Sequence, residues 1–284
     1  MKNLPFFRVP LVLFLLVLFS SLAYGQCTLK MVYKDGGKEP LITAKPKHDG
    51  VYYDLFSEAA KRTGCQLEVS RFPKKRLHEM LKEGKLDFYP GASFSKKRAK
   101  YLFYIPNGLD TGEYGVSNAS MAELMSYEDL KKHNPIWLME IGSSKQDKAS
   151  NLGIKVQDRK FFDLQFVSKY IKRSPDNHYF YVADKELVEY FHSQSGMTIS
   201  QAGLKVHKNC CGGNQPMFLG FSRHSPHVKE QPNPNYDASK KLSAFNYPTI
   251  LDRGSIAYKL SQALAAMKSE GVTDTIYKRW FSVN

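Results

Sequence analysis

The 284-residue chain predicts an α/β protein made of two strand–helix units in series. Short apolar or alternating runs recur between amphipathic stretches that close on glycine, the pattern of a parallel sheet with covering helices. That alternation pauses near Thr111–Ser120 and then restarts, so the pattern occurs twice.

In the first unit Leu29–Tyr33 reads as a strand, and residues 35–49, rich in Gly, Pro and Lys, read as a loop. Asp54 is placed to cap a helix whose apolar face carries Leu55, Phe56, Ala59 and Ala60 and which ends at Gly64. Gln66–Phe72 alternates as a strand. A second helix presents Leu77, Met80 and Leu81 and stops at Gly84, and Leu86–Tyr89 is a short strand. The second unit holds strands at Ile136–Glu140, Ile154–Val156 and Tyr179–Val182. Gly142-Ser143-Ser144 opens a helix, Phe161–Ile171 presents Leu164, Val167 and Ile171 on one face, and another helix runs from Glu186 to His192. Leu204–Val206 and Met217–Ser222 are further strands. Arg223–Asp252, polar and rich in proline, reads as an irregular insertion. Two closing helices carry Ile256, Leu260, Leu264 and Met267, then Ile276, Trp280 and Phe281, with Gly271 between them.

The start of the chain predicts the compartment. Lys2 and Arg8 precede an apolar run, Val9–Phe19, too short for the roughly 20 residues of a membrane span. Ala23 and Gly25 then supply small residues for cleavage, so residues 1–25 read as a secretory signal peptide. Gln26, not a small residue, precedes Cys27, which argues against lipid attachment. No later segment is apolar enough to span a bilayer, and a periplasmic location is expected.

The formal charge is +14. Its basic residues are scattered in tracts no longer than Lys96-Lys97-Arg98, which disfavours nucleic acid and suits anionic solutes or a negative cell surface. Four cysteines, Cys27, Cys65, Cys210 and Cys211, allow three pairings. Export implies an oxidising compartment. Cys27 and Cys65 each precede a predicted strand, and parallel neighbouring strands would bring them together as a disulfide. Cys210 and Cys211 are then either an adjacent pair or two thiols. His207 with these two cysteines puts three ligands in five residues, which cannot close a tetrahedral zinc site alone, so no metal is expected.

Ligands of open α/β sheets bind where strands end and helices begin. The third strand leads into Pro90-Gly91-Ala92-Ser93-Phe94-Ser95-Lys96-Lys97-Arg98. Gly91 lets backbone approach a ligand, Ser93 and Ser95 offer hydroxyls, and Arg98 offers a planar fork for a carboxylate. The competing reading is a helix capped by Ser95 on a solvated basic face.

Four segments carry a resemblance. Asp54 to Gly64 has an acidic helix start and a glycine end, and Leu81-Lys82-Glu83-Gly84-Lys85-Leu86-Asp87 follows L-x-x-G-x-x-D. Gly91 to Arg98, running on to Phe103, is like G-x-S-x-T-x-x-R with its following aromatic. Gly271, Ile276 and Trp280-Phe281 follow G-x-x-x-x-I-x-x-x-W-F. In this order and spacing they resemble the family 3 extracytoplasmic solute-binding proteins of polar amino-acid ABC transporters. The resemblance implies a type II periplasmic-binding-protein-like fold, two α/β lobes joined by a two-strand hinge. Residues 26–114 and 222–284 would form lobe 1 and residues 115–221 lobe 2, with the ligand between them.

By position, Arg98 with Ser93 would hold the ligand's α-carboxylate. Gly142-Ser143-Ser144 would aim backbone N–H groups at the same anion. Asp184 would pair with the ligand ammonium, unless it merely caps a helix. The chain also departs from the pattern: Lys38-Glu39-Pro40-Leu41 stands where amino-acid binders place an aromatic. Arg76 lies near another usual aromatic position and either faces the cleft or lies on the surface. Tyr33, Tyr52, Phe72 and Phe94 are candidate aromatic walls.

The implied function is capture of a small anionic or zwitterionic, amino-acid-like solute for an ABC permease, by a monomer without cofactor or catalytic residue. A dehydratase-like enzyme and a sensory binding protein are the alternatives.

Overall fold

The computed structural model describes residues 27–281 apart from 142, 144, 160–162 and 175–176. The signal peptide expected over residues 1–25 lies outside the described residues.

Strand β1 (Cys27–Lys34) buries Leu29, Met31, Val32 and Tyr33 and runs parallel to β2 (Cys65–Phe72) with Cys27 opposite Cys65. That register brings the two Cα atoms to 4.4 Å, and the expected disulfide is formed. Between the strands, helix α1 (Val51–Arg62) turns Val51, Leu55, Phe56 and Ala59 into the core. It begins at Gly50, one turn before the expected cap. Gly50 has a φ of 133°, and a Cβ there would stand 2.6 Å from the Leu41 carbonyl oxygen, so only glycine fits this entry. Asp54 therefore lies inside the first turn and caps nothing. Helix α2 (Lys74–Lys82) buries Leu77 and Leu81, β3 (Phe88–Tyr89) pairs with β1, and the short α3 (Lys96–Ala99) starts at Ser95.

The stretch Thr111–Ser120, expected as a connection, is mostly strand. β4 (Leu102–Asn118) is one 17-residue strand that pairs antiparallel with β9 (Gly213–Ser222) from Leu102 to Glu113. Beyond that point β4 pairs with β7 (Tyr179–Asp184) and β8 (Leu204–His207). β4 and β9 are thus the two strands that join the lobes. Sequence reading missed their length because glycine and polar residues interrupt the apolar pattern where the strands cross.

The second lobe adds α4 (Leu130–His133), β5 (Ile136–Glu140), α5 (Gln146–Leu152), β6 (Val156–Arg159), α6 (Leu164–Arg173) and α7 (Lys185–Ser195). α5 begins at Gln146, so the helix expected to open at Gly142-Ser143-Ser144 starts later; Gly142 and Ser144 lie outside the described residues. The principal sheet runs β2-β1-β3-β9-β4-β7-β5-β6, with β8 also on β4. Helices α8 (Ile256–Ser269) and α9 (Val272–Phe281) return to the first lobe. The insertion from Arg223 to Asp252 is ordered around a small antiparallel pair, β10 (Glu230–Pro232) with β11 (Thr249–Leu251). Arg223 holds it, donating to Glu230 and to Thr249 Oγ1 while lying 4.3 Å over the Tyr247 ring.

The core divides with the chain. Leu29, Phe56, Phe88, Leu219 and Leu260 cluster in one lobe, and Val116, Leu138, Val167, Tyr181 and Phe191 in the other. A third cluster in the second lobe packs Trp137 and Phe180 on Cys210 and Cys211, which are bonded to each other. His207 is fully buried there: its Nδ1 accepts the Leu124 N–H at 3.1 Å, and its Nε2 lies 2.8 Å from Ser117 Oγ. Both ring nitrogens are committed to the core. Among the described residues no helix is long and apolar enough to cross a membrane.

A candidate solute site between the lobes

β7 ends at Asp184, which occupies the N-cap position of α7 but makes no side-chain capping bond. Its carboxylate instead meets the other lobe: Lys38 Nζ lies 2.7 Å from Asp184 Oδ2 and 3.6 Å from Glu186 Oε2. Lys38 stands on the loop that follows β1. That loop is closed by reciprocal backbone bonds between Lys38 and Ile42, of 2.8 and 3.1 Å, and is anchored by fully buried Leu41 and Ile42. Arg71 braces it, donating to the carbonyls of Lys34 (3.0 Å) and Thr43 (2.7 Å).

Aromatic residues wall the lobe 1 side. Tyr33, at the end of β1, stacks on Tyr89, at the end of β3, with ring centroids 5.1 Å apart and planes 10° from parallel. Tyr52 tilts against Tyr33 and donates its hydroxyl to Met217 Sδ. Gly91 approaches this wall so closely that a Cβ would lie 2.2 Å from the Tyr52 hydroxyl oxygen. The expectation of close approach at Gly91 thus has a partner within the protein.

The charges follow from burial and pairing. Burial works against the Lys38 ammonium, yet Asp184 and Glu186 outweigh it and hold Lys38 above the usual lysine range. Burial raises the Glu186 carboxyl, with Lys38 opposing. Burial likewise keeps the Tyr33 and Tyr52 phenols neutral far above their ordinary range.

Arg98 occupies α3, half-exposed. Among the described residues no carboxylate pairs with it. It lines an open groove of about 850 Å³ with Lys75, His78, Lys82, Tyr101 and His224, all in the first lobe. Burial and Tyr33 raise the Tyr89 phenol, with the charges of Lys38 and Arg98 opposing. Ser95 Oγ accepts the Arg98 N–H at 3.4 Å as the α3 cap, and the Tyr104 hydroxyl donates to the Ser93 carbonyl at 3.1 Å. Ser143 Oγ accepts the Lys145 N–H at 3.3 Å, and Ser144 lies outside the described residues. Arg76 is exposed, its guanidinium 5.1 Å over the Phe72 ring.

The structure therefore sets Asp184 against Lys38 of the other lobe and Gly91 against Tyr52. It leaves Arg98, Ser93 and Ser95 along the first lobe, and Arg76 on its surface. Sequence reading missed Lys38 and Glu186 as site residues. Their signal was present: a lysine replaces the expected aromatic, and a second acid follows Asp184 by two positions.

A hinged pair of α/β lobes with facing charged and aromatic walls defines a two-lobed binding protein. The chain belongs to the bacterial extracellular solute-binding proteins, family 3, whose family profile matches residues 32–283. Comparison with curated proteins gives no match. Among solved structures, an ancestral arginine-binding protein bound to arginine is 20% identical, with 90% of this chain and 98% of that chain covered and a TM-score of 0.58. The L-cystine solute receptor of Neisseria gonorrhoeae, unliganded and open, is 14% identical over 90% and 93%, with a TM-score of 0.58. The ancestral amino acid-binding protein AncCDT-1, a precursor of cyclohexadienyl dehydratase, is 16% identical over 91% and 96%, with a TM-score of 0.60. At these identities the likeness is one of fold.

Proposed function

We propose that the chain captures a small, amino-acid-like solute carrying a carboxylate between its two lobes, outside the cytoplasm, and delivers it to an ABC permease. The observation that carries this reading is the meeting of Lys38 from one lobe with Asp184 and Glu186 from the other beside a tyrosine wall. A solute that touches both sides shifts the hinge equilibrium toward closure. Arg98, with no carboxylate partner among the described residues, supplies the guanidinium for the carboxylate, with Ser93 and Ser95 on the same turn. Residues 26–114 and 222–284 form lobe 1 in this reading and residues 115–221 lobe 2, with residues 1–25 removed on export.

Calorimetric titration with amino acids, mono- and dicarboxylates tests it. Binding without turnover supports capture, and product formation supports the dehydratase-like alternative suggested by AncCDT-1. Arg98→Ala should weaken binding at least about tenfold, since removing one partner of a desolvated charge pair costs about 2–5 kcal/mol. Unchanged affinity in that variant rejects the role given to Arg98.

A further inference from the structure

We propose that Lys38 is a specificity-determining residue: it fills, from within the chain, the place of a solute's ammonium group opposite Asp184, so that the cleft takes small carboxylates that lack an α-ammonium. This rests on the reading of the inter-lobe cleft as the solute site.

The position of the ammonium leads to this. Its 2.7 Å contact with Asp184 Oδ2 is a charge-assisted hydrogen bond, the contact a free amine would need. The Asp184 side chain makes no competing capping bond. Lys38 also arrives pre-positioned. Its loop is locked by the Lys38–Ile42 bonds, by the Val51 N–H on the Pro40 carbonyl (3.1 Å) and by the Tyr52 N–H on the Leu41 carbonyl (2.9 Å). A short tether gives an attached group an effective concentration of millimolar order or more, and a soluble amine must compete with that.

Glu186 supplies the second observation. Its carboxylate is 0% exposed, and neither oxygen has a hydrogen-bond partner of good geometry, although the Thr111 hydroxyl lies beside it. Lys38 is the cation that faces it, at 3.6 Å. A solute ammonium that took Asp184 from Lys38 would crowd two cations against the same carboxylates. Arg71, a second cation against this wall, cannot take over, because its guanidinium is spent on backbone carbonyls. The aromatic that the family resemblance implies near position 38 would leave Asp184 open to a solute amine; the lysine closes it.

The test uses the full chain, as wild type, Lys38→Ala and Lys38→Gln, and follows thermal melting. n-Propylammonium chloride, which matches the side chain removed beyond Cβ, is compared with sodium chloride at equal ionic strength. It should raise the melting temperature of Lys38→Ala by at least about 2 °C and leave wild type and Lys38→Gln unmoved. An equal response in all three overturns the proposal. Matched solute pairs, glutamate with glutarate and alanine with propionate, are then run on wild type and Lys38→Gln. Wild type should favour the member without the amine, and the variant should move toward the amino acid by tenfold or more in relative affinity. A wild-type preference for the amino acid that the variant leaves unchanged overturns the proposal. Absence of binding by every solute counts against the proposed function alone, because the propylammonium arm reads Lys38 without any solute.

Discussion

Asp54 Oδ2 accepts the indole N–H of Trp280 at 2.6 Å and takes the Arg279 guanidinium at 2.7 Å, so one carboxylate of α1 holds the last helix in place. These residues are 226 positions apart in the chain, and the bond closes the first lobe around the excursion through the second. Asp54→Ala should cost about 1–3 kcal/mol, because it removes the acceptor of a partly buried indole. Urea denaturation checks the size, and Arg279→Ala, which removes only the exposed partner, should cost about 1 kcal/mol or less.

Gly91 is required by Tyr52 and not by its own backbone angles. A Cβ at position 91 would meet the Tyr52 hydroxyl at 2.2 Å and the adjacent ring carbon at 3.0 Å. Gly91→Ala should therefore lose about 1–3 kcal/mol through overpacking. Tyr52→Phe in the same chain should recover part of that loss, and a double-mutant cycle in urea measures the recovery.

The Cys27–Cys65 bridge spans 38 positions and joins the first residues of two paired strands. Replacing both cysteines by serine should lower stability by about 2–4 kcal/mol, mainly by freeing the unfolded chain. Denaturation midpoints of the two proteins check this, with no change expected in which solutes bind.

His78 gives a pH dependence. Burial, and then the charges of Arg98, Lys74 and Lys82, lower it from 6.5 to about 4. Between those values the unfolded chain binds a proton that the folded chain does not, so stability falls as pH drops from about 6.5 to about 4. His78→Asn should make this slope shallower in melts across that range. The imidazole signals of wild type should titrate near the lower value, where neutral Nδ1 keeps its 3.1 Å contact with the Tyr101 hydroxyl.

The elements legible in the sequence were those fixed by local pattern. Leu55, Phe56, Ala59 and Ala60 declared α1, and the strand starts at Cys27 and Cys65 declared their own disulfide. What stayed hidden depends on distant partners. Asp54 looks like a cap until Trp280 is known to reach it, and the crossing strands β4 and β9 carry glycines where an apolar alternation would mark a strand. The site divided in the same way. The family resemblance pointed to Asp184 as a candidate, whereas Lys38 gained meaning only when the fold set a loop of one lobe against β7 of the other.

The position of bound solute in a crystal of the loaded protein tests the central claim most directly. The account predicts solute between the lobes, touching the turn from Gly91 to Arg98 on one side and the Asp184 end of β7 on the other. Solute confined to the groove between Lys75 and Tyr101, in contact with the first lobe alone, would contradict it.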